Sequence, residues 1–295
     1  MAFPNPVGLA PQMRCRSVFH LIAFTILTVG QLLLLNRYVP GFSDTTVNVA
    51  PSFAMAREGL LLAAIVLSTG LLARAERRSV FSYGLSGHRR LRYFAVGLIW
   101  GMACVSLLVI GLFATGHLVF GKRLLAGGAA LEYGLVWAAT FLMVGLAEEM
   151  LFRGYLQLVL GRLIGFWPAA AVLSVLFGLV HLHNSNEVLF GVAVVALGGA
   201  FFSLGLWRTG SLWWGIGFHT AWDWSQSFLY GTPDSGILIA NPLVQTHPVG
   251  AVILSGGSIG PEGSILIVPV MSLALIVMFL ALKPSGAQQG QARVV

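Results

Sequence analysis

The sequence predicts an all-α protein, a polytopic transmembrane helical bundle of about eight spans. Of its 295 residues, 57% are hydrophobic and only 9% are charged, and the mean hydropathy is +0.85. Because so few charged groups cannot cover an ordinary globular surface, lipid must cover much of the chain. Strand-like alternation of polar and apolar residues is not sustained over many segments, which favours helices over a membrane barrel.

The candidate spans are long apolar runs, since a hydrocarbon core about 30 Å thick requires roughly 20 apolar residues per helix. They cover residues 17–35, 58–73, 93–115, 133–160, 167–182, 188–206, 211–230 and 264–282. Pro, Gly and short polar clusters separate them. The first run lacks the small-residue cleavage site of a signal peptide, so we expect it to remain as an anchor.

The basic residues indicate an orientation. The net charge is +7, and six arginines crowd the connection between the second and third spans: Arg74, Arg77, Arg78, Arg89, Arg90 and Arg92. This crowding is typical of a cytoplasmic loop, so we expect both termini in the cytoplasm and no nucleic-acid partner. Lys122 and Arg123 would then lie on the opposite side. The excess of Arg over Lys, with abundant Ala, Gly and Leu, indicates a bacterial inner membrane.

Ionisable side chains within spans are the strongest functional signal, because each costs roughly 2.5–3.5 kcal/mol at membrane depth. Glu148 and Glu149 lie in the middle of the fourth span, and Asp223 lies within the seventh. The other acidic residues are predicted to fall in loops or at span ends: Asp44, Glu58, Glu76, Glu132, Glu187, Asp234 and Glu262.

Arg153 lies four residues after Glu149 and therefore on the same helix face, which predicts an ion pair inside the span. Glu148 points about 100° away around the helix and keeps no partner from this set. A spare carboxylate suits general acid–base chemistry. The alternative is that Glu148, Glu149 and Arg153 only hold two helices together. That role would not require a second carboxylate, which is energetically costly within a span.

Two histidines complete the polar set. His181 ends the fifth span one turn beyond Phe177, and a histidine in that position alone is more often an interfacial residue. His219 and Asp223 share one face of the seventh span, so both side chains need polar surroundings on that face. We expect these groups to meet Glu148 in one cavity, with neighbouring residues lining it: His183, Asn184, Trp222 and Trp224.

Three motifs together resemble the CAAX-protease and bacteriocin-processing family of intramembrane proteases, the CPBP or Abi family. They are Glu-Glu-x-x-x-Arg, Phe-x-x-x-His and His-x-x-x-Asn or His-x-x-x-Asp, present here as Glu148 to Arg153, Phe177 to His181 and His219 to Asp223. Each motif alone is weak, whereas the ordered set inside apolar spans is specific. The motifs cover residues 133–230, and the eight spans fit the family's layout.

The resemblance implies an intramembrane endopeptidase that acts on a membrane-associated or lipidated peptide or protein. Glu148 would be the general base that activates water with help from His181, and Glu149 would pair with Arg153. His219 and Asp223 would face the scissile carbonyl and stabilise the oxyanion. Where the motif has Asn, Asp223 departs from it, and a carboxylate donates a hydrogen bond only when protonated. It would then orient His219 instead.

From the resemblance we expect no cofactor. A set of Glu and two His could hold zinc with an open position for water, so zinc stays the alternative. The chain has no His-Glu-x-x-His motif, and Cys15 and Cys104 indicate neither a disulfide nor a thiolate site.

The predicted organisation follows these motifs. It consists of a disordered tail (1–16), amino-terminal spans (17–128), the catalytic core (129–231), a loop (232–263), the last span (264–283) and a second disordered tail (284–295). Two other functions compete with the protease. An ion-coupled carrier would use the buried acids as a proton relay, although no repeated halves are evident. A catalytically silent scaffold or immunity protein would use the same fold to bind a peptide.

Overall fold

The computed structural model describes residues 10–43, 50–184 and 189–282, which form a helical bundle with one two-stranded sheet. The helices in chain order are α1 (Pro11–Tyr38), α2 (Pro51–Ala75), α3 (Arg90–Ala114), α4 (Gly127–Glu149), α5 (Gln157–Ile164), α6 (Phe166–Val180), α7 (Leu189–Thr209), α8 (Trp213–Asp223), α9 (Val252–Ser255) and α10 (Ile267–Ala281). The strands are β1 (Leu118–Arg123) and β2 (Val244–Pro248). The predicted all-α class is confirmed.

Six helical segments within the described ranges are long and apolar enough to cross a membrane, and they correspond to the first six predicted spans. The fourth is continuous over Gly127–Ile164 because α4 runs through a π-helical turn into α5. The last two predicted spans are shorter than expected. α10 has 15 residues, a length of about 22 Å, which is less than a 30 Å hydrocarbon core.

Three boundaries differ from the prediction. α1 begins at Pro11, so residues 11–16 are helical and not part of a tail, with proline at the start of the helix where its missing N–H costs nothing. Glu58 lies inside α2, which begins at Pro51. The segment 232–263 contains β2 and α9 and is therefore more than a loop. Asp44, Glu187, Lys283, Arg293 and most of both predicted tails fall outside the described residues.

Large apolar side chains point outward along the bundle, as lipid-facing helices require. Phe19 on α1, Ile99 on α3 and Leu280 on α10 are 66%, 66% and 78% exposed. Glu149, Arg153, His219 and Asp223 are buried inside the bundle instead.

Helices α3 and α8 pack extensively against each other. A Cβ atom built on Gly97 would overlap the carbonyl oxygen of Trp214, and one built on Gly101 would overlap that of Phe218. The two backbones therefore touch directly, an arrangement common at membrane helix interfaces, where small residues permit close approach. This contact fixes α8, the helix that carries His219 and Asp223.

The two-stranded sheet holds the segment that follows α8 against the helical bundle. β1 and β2 pair antiparallel from Leu118–Pro248 to Arg123–Val244, with an irregularity between Phe120 and Arg123. Leu243 also donates its N–H to the carbonyl of Phe228 at the end of the α8 region. The segment 232–263 is thereby held beside the helices and is not free to extend away from them.

We expect Gly101→Ala to destabilise the protein because the added methyl group would force α3 away from α8, at a cost of about 1–3 kcal/mol. The matched control is Gly111→Ala in the same helix, where no atom lies within 4 Å of the added Cβ. Thermal unfolding in detergent measures both variants. Equal melting temperatures for the two variants would contradict the close contact.

Candidate active site

The motif segments that carry Glu149 and Asp223 each lead directly into a π-helical turn. α4 ends at Glu149 and the turn Met150–Leu156 follows, while α8 ends at Asp223 and the turn Trp224–Leu229 follows. A π-turn widens the helix locally and is frequent at functional sites. The sequence pattern treated both segments as regular helices, and nothing in the residue spacing signals the change.

Arg153 and Glu149 form the buried ion pair that their spacing predicted. Arg153 Nη1 donates to Glu149 Oε1 over 3.1 Å, and both side chains are 1% exposed. The guanidinium also lies 4.1 Å from the ring centre of Phe177, a cation–π contact. A Cβ atom on Gly199 of α7 would come within 2.8 Å of Arg153 Nη2, so only glycine leaves room for the guanidinium there.

His219 lies among three carboxylates. Its Nε2 atom is 3.6 Å from Glu148 Oε2 and 3.6 Å from Asp223 Oδ2, and its Nδ1 atom is 3.4 Å from Glu149 Oε1. The ring stacks on Phe202, with centroids 5.1 Å apart. The structure therefore brings Glu148, Glu149, His219 and Asp223 into one cluster.

His181 faces the same region from the end of α6. Its Nδ1 atom is 2.7 Å from the carbonyl oxygen of Phe177, and since a carbonyl only accepts, Nδ1 carries the hydrogen. Nε2 is then the atom left for a substrate or water. The Phe177 ring lies 4.8 Å from the His181 ring and 6.3 Å from that of His219, so it packs beside both imidazoles.

Of the two adjacent glutamates, Glu148 is the one that opens toward the cavity. Its side chain is 24% exposed, against 1% for Glu149. Its Oε2 atom is buried and accepts no hydrogen bond within the described part of the chain. A buried carboxylate oxygen requires a donor, and water or substrate can provide one.

A cavity of about 1180 Å³ connects these groups. Its walls are mostly apolar, and its lining includes Glu148, His181, His219 and Asp223. His183, Asn184 and Trp222 also line it, as predicted. Trp224 does not, because its indole N–H donates to the carbonyl of Gly134 over 2.9 Å on another side of the helix.

Three acidic residues that the sequence reading placed in loops or at a span end also line the cavity: Glu58, Asp234 and Glu262. The sequence signals that helix α2 begins early, because Pro51 is a typical first helical residue, and this would have placed Glu58 inside the span. No local pattern shows that Asp234 and Glu262 return to the cavity, because the fold of segment 232–263 decides it.

Glu262 joins the segments that approach the site. It is 5% exposed and accepts hydrogen bonds from the side chain of Gln226 and from the backbone N–H and hydroxyl of Ser235. Asn184, which follows His181, donates to the carbonyl of Ser235 over 2.9 Å. The segment after α8 is therefore tied by hydrogen bonds to the ends of both α6 and α8.

Asp234 adds a further carboxyl group at the cavity wall, 3.4 Å from the Ser227 hydroxyl that donates to it. Burial raises the pKa of Asp234 to about 6, against the opposing attraction of His219 and His181.

Within the described ranges, no group of three or more His, Cys, Asp and Glu side chains has the arrangement of a metal site.

Comparison with known protein families identifies the segment that holds this cluster. Residues 130–225 match the family described as type II CAAX prenyl endopeptidase Rce1-like. This segment is similar to the Rce1-like family. It contains the three motifs, including Glu148, His181 and His219, and agrees with the resemblance found in the sequence. No curated protein matches the chain. At the level of the Rce1-like family, the protein is an intramembrane endopeptidase of the CAAX type.

Arg153→Ala should reduce folding and accumulation as well as activity, because it leaves Glu149 buried without its cation, a loss of about 3–5 kcal/mol. The control is Arg89→Ala, since Arg89 is exposed. The yield of folded protein from membranes and its melting temperature are the measurements. A variant that accumulates and melts like the wild type would show that the pair does not stabilise the Rce1-like domain.

Proposed function

We propose that the protein hydrolyses a peptide bond of a membrane-associated or lipidated substrate by means of water activated by Glu148, without a metal ion. The observation that carries the proposal is the cavity-facing carboxylate of Glu148, 3.6 Å from His219 Nε2, beside a second carboxylate, Glu149, that is 1% exposed and paired with Arg153. The two adjacent glutamates thus have different environments, which suits one to chemistry and the other to structure.

In the proposed reaction, Glu148 accepts a proton from water as the water oxygen attacks the carbonyl carbon. His181 Nε2 accepts a hydrogen bond from the same water and orients it. The tetrahedral intermediate then collapses, the C–N bond breaks, and the proton held by Glu148 passes to the leaving nitrogen. The second water proton stays on the new carboxyl group until it too passes to the amine, so the products are a carboxylate and an ammonium group, and atoms and charge balance.

His219 is the donor for the oxyanion in this proposal. An imidazole has an N–H donor in either charge state, whereas an ionised carboxylate only accepts hydrogen bonds. Asp223 Oδ2 lies 3.6 Å from His219 Nε2 and so acts by orienting that ring. Preorganised donors of this kind typically contribute a factor of about 10²–10³ to the rate.

The cavity walls indicate the substrate class. A largely apolar cavity of about 1180 Å³ suits a substrate that carries a hydrocarbon group or a membrane-embedded segment. The family description favours a peptide ending in a prenylated Cys-a-a-X sequence. The arginine-rich connection between α2 and α3 supports a location of both termini in the cytoplasm, and the excess of Arg over Lys supports a bacterial inner membrane.

Glu148→Gln should abolish peptide cleavage while leaving the melting temperature in detergent nearly unchanged. The amide keeps the shape of the side chain but cannot accept the proton from water, and loss of a general base costs about 100-fold or more in rate. Cleavage of a prenylated peptide by the purified protein is the measurement. Glu132→Gln is the matched control, because Glu132 lies exposed on the same helix.

More than about a tenth of the wild-type rate in Glu148→Gln would refute the proposed base. A phenotype that survives this substitution in cells would favour a silent scaffold or immunity protein. Loss of proton-coupled transport, with no cleavage by the wild type, would favour an ion-coupled carrier.

A further inference from the structure

The connection between α2 and α3, with the helix ends on either side of it, carries six exposed arginines: Arg74, Arg77, Arg78, Arg89, Arg90 and Arg92. Among the described residues, only Arg78 of these six lies within ion-pair distance of a carboxylate, at 3.9 Å from Glu76 Oε2. The other five have no carboxylate partner in the part of the chain that the structure describes. Their charge is therefore available to an anion from outside the protein.

Glu76 is the acidic residue of this connection, and it is committed to partners inside the bundle. Its side chain is 5% exposed. It accepts hydrogen bonds from Arg162 Nη1 over 2.8 Å and from the Tyr155 hydroxyl over 3.0 Å, and His20 Nδ1 lies 3.1 Å from it. The outer surface of residues 74–92 consequently presents basic groups and no acidic one.

These arginines lie at the depth of lipid headgroups. α2 and α3 have 25 residues each, a length of about 37 Å, so their ends extend beyond a hydrocarbon core about 30 Å thick. Arg74 lies in the last turn of α2, and Arg90 and Arg92 lie in the first turn of α3. Phe81 and Leu91, 56% and 78% exposed, add apolar groups beside the charges. Basic and apolar side chains together at this depth fit a lipid surface better than a soluble polyanion.

The connection is held in one position by contacts with the start of α8. The carbonyl of Gly84 accepts a hydrogen bond from the N–H of Leu212 over 2.9 Å, and the carbonyl of Leu85 accepts one from the indole N–H of Trp213 over 2.9 Å. Tyr83 and Leu85 are 3% and 7% exposed. The backbone that carries the arginines is thus ordered before any ligand binds, which lowers the entropic cost of binding.

We propose that the basic connection, residues 74–92, binds the headgroups of anionic phospholipids. Each guanidinium presents a planar fork of N–H donors that matches phosphate oxygens, and about four to eight basic residues beside a span form a surface of this kind. Arg16 of α1 extends the surface, because its Nη2 donates to the carbonyl of Ala75 over 3.0 Å. Since the connection is bonded to the first residues of α8, bound lipid also stabilises the helix that carries His219 and Asp223. The proposal does not depend on hydrolysis at Glu148.

The test is a titration of fluorescent phosphatidylglycerol into purified protein in micelles of an uncharged detergent. Phosphatidylcholine with the same labelled acyl chains is the comparison, because its headgroup has no net charge. Wild-type protein should bind phosphatidylglycerol at least about 10-fold more tightly. Arg74→Gln, Arg89→Gln and Arg92→Gln together should weaken that binding about 100-fold, since each basic residue at a charged lipid surface contributes about fivefold. Binding of phosphatidylcholine should not change.

The matched control removes three exposed cations at the opposite ends of α1 and α3. It combines Arg37→Gln, Lys122→Gln and Arg123→Gln. The net charge changes by the same amount as in the first variant, so a general effect of charge would weaken binding equally. The proposal predicts an affinity for phosphatidylglycerol close to that of the wild type.

Two further measurements separate charge from folding. Arg74→Lys, Arg89→Lys and Arg92→Lys together keep the charge and lose the planar fork, so this variant should retain most of the affinity. Phosphatidylglycerol should raise the melting temperature of the wild type and of the opposite-end control, because a ligand of the folded state stabilises it. It should not raise that of the glutamine variant.

Equal affinity of the wild type for the two lipids would overturn the proposal. Unchanged binding in the glutamine variant, or an equal loss in the opposite-end control, would overturn it as well. If the glutamine variant does not fold, the three single substitutions decide, and wild-type affinity in all three counts against the proposal. Displacement of the lipid by inorganic phosphate at the same concentration would show that the surface takes a free anion and not a lipid headgroup.

Discussion

Arg153 carries a full charge in the middle of a helix long enough to cross a membrane, and it is 1% exposed. A cation in that position is tolerated only with a partner and further polar or aromatic contacts. Glu149 and the faces of Phe177 and Phe202 provide them. These contacts draw three helical segments together around one point, because the partners lie on α4, α6 and α7. The polar cluster of the site is built on this junction.

The Glu149–Arg153 pair also explains why Glu148 is available for chemistry. Because Glu149 is committed to Arg153, its neighbour Glu148 needs no cation from the scaffold and turns toward the cavity, where His219 approaches it at 3.6 Å. His219 is held in turn by the backbone contact between α3 and α8 at Gly97 and Gly101. Glu149, which stabilises the fold, and Glu148, which faces the cavity, are therefore adjacent residues of α4.

Much of the fold could be predicted from the sequence, since apolar length and the cost of buried charge are local properties. The i, i+4 spacing predicted the pairing of Glu149 with Arg153 and the shared face of His219 and Asp223. The π-turns after Glu149 and Asp223 could not be predicted, because widening a helix depends on its packing and not on residue spacing. The cavity positions of Asp234 and Glu262 also depend on tertiary structure, through contacts of Glu262 with Gln226 and Ser235.

The central claim is that a glutamate, and not a metal ion, activates the water. The most direct measurement is the turnover of purified protein after exhaustive treatment with a chelator, with the bound metal determined by elemental analysis of the same sample. The glutamate mechanism predicts undiminished turnover in protein that holds far less than stoichiometric zinc. Turnover that disappears as zinc is removed and returns on addition of zinc alone would contradict it and make the site a metalloprotease centre.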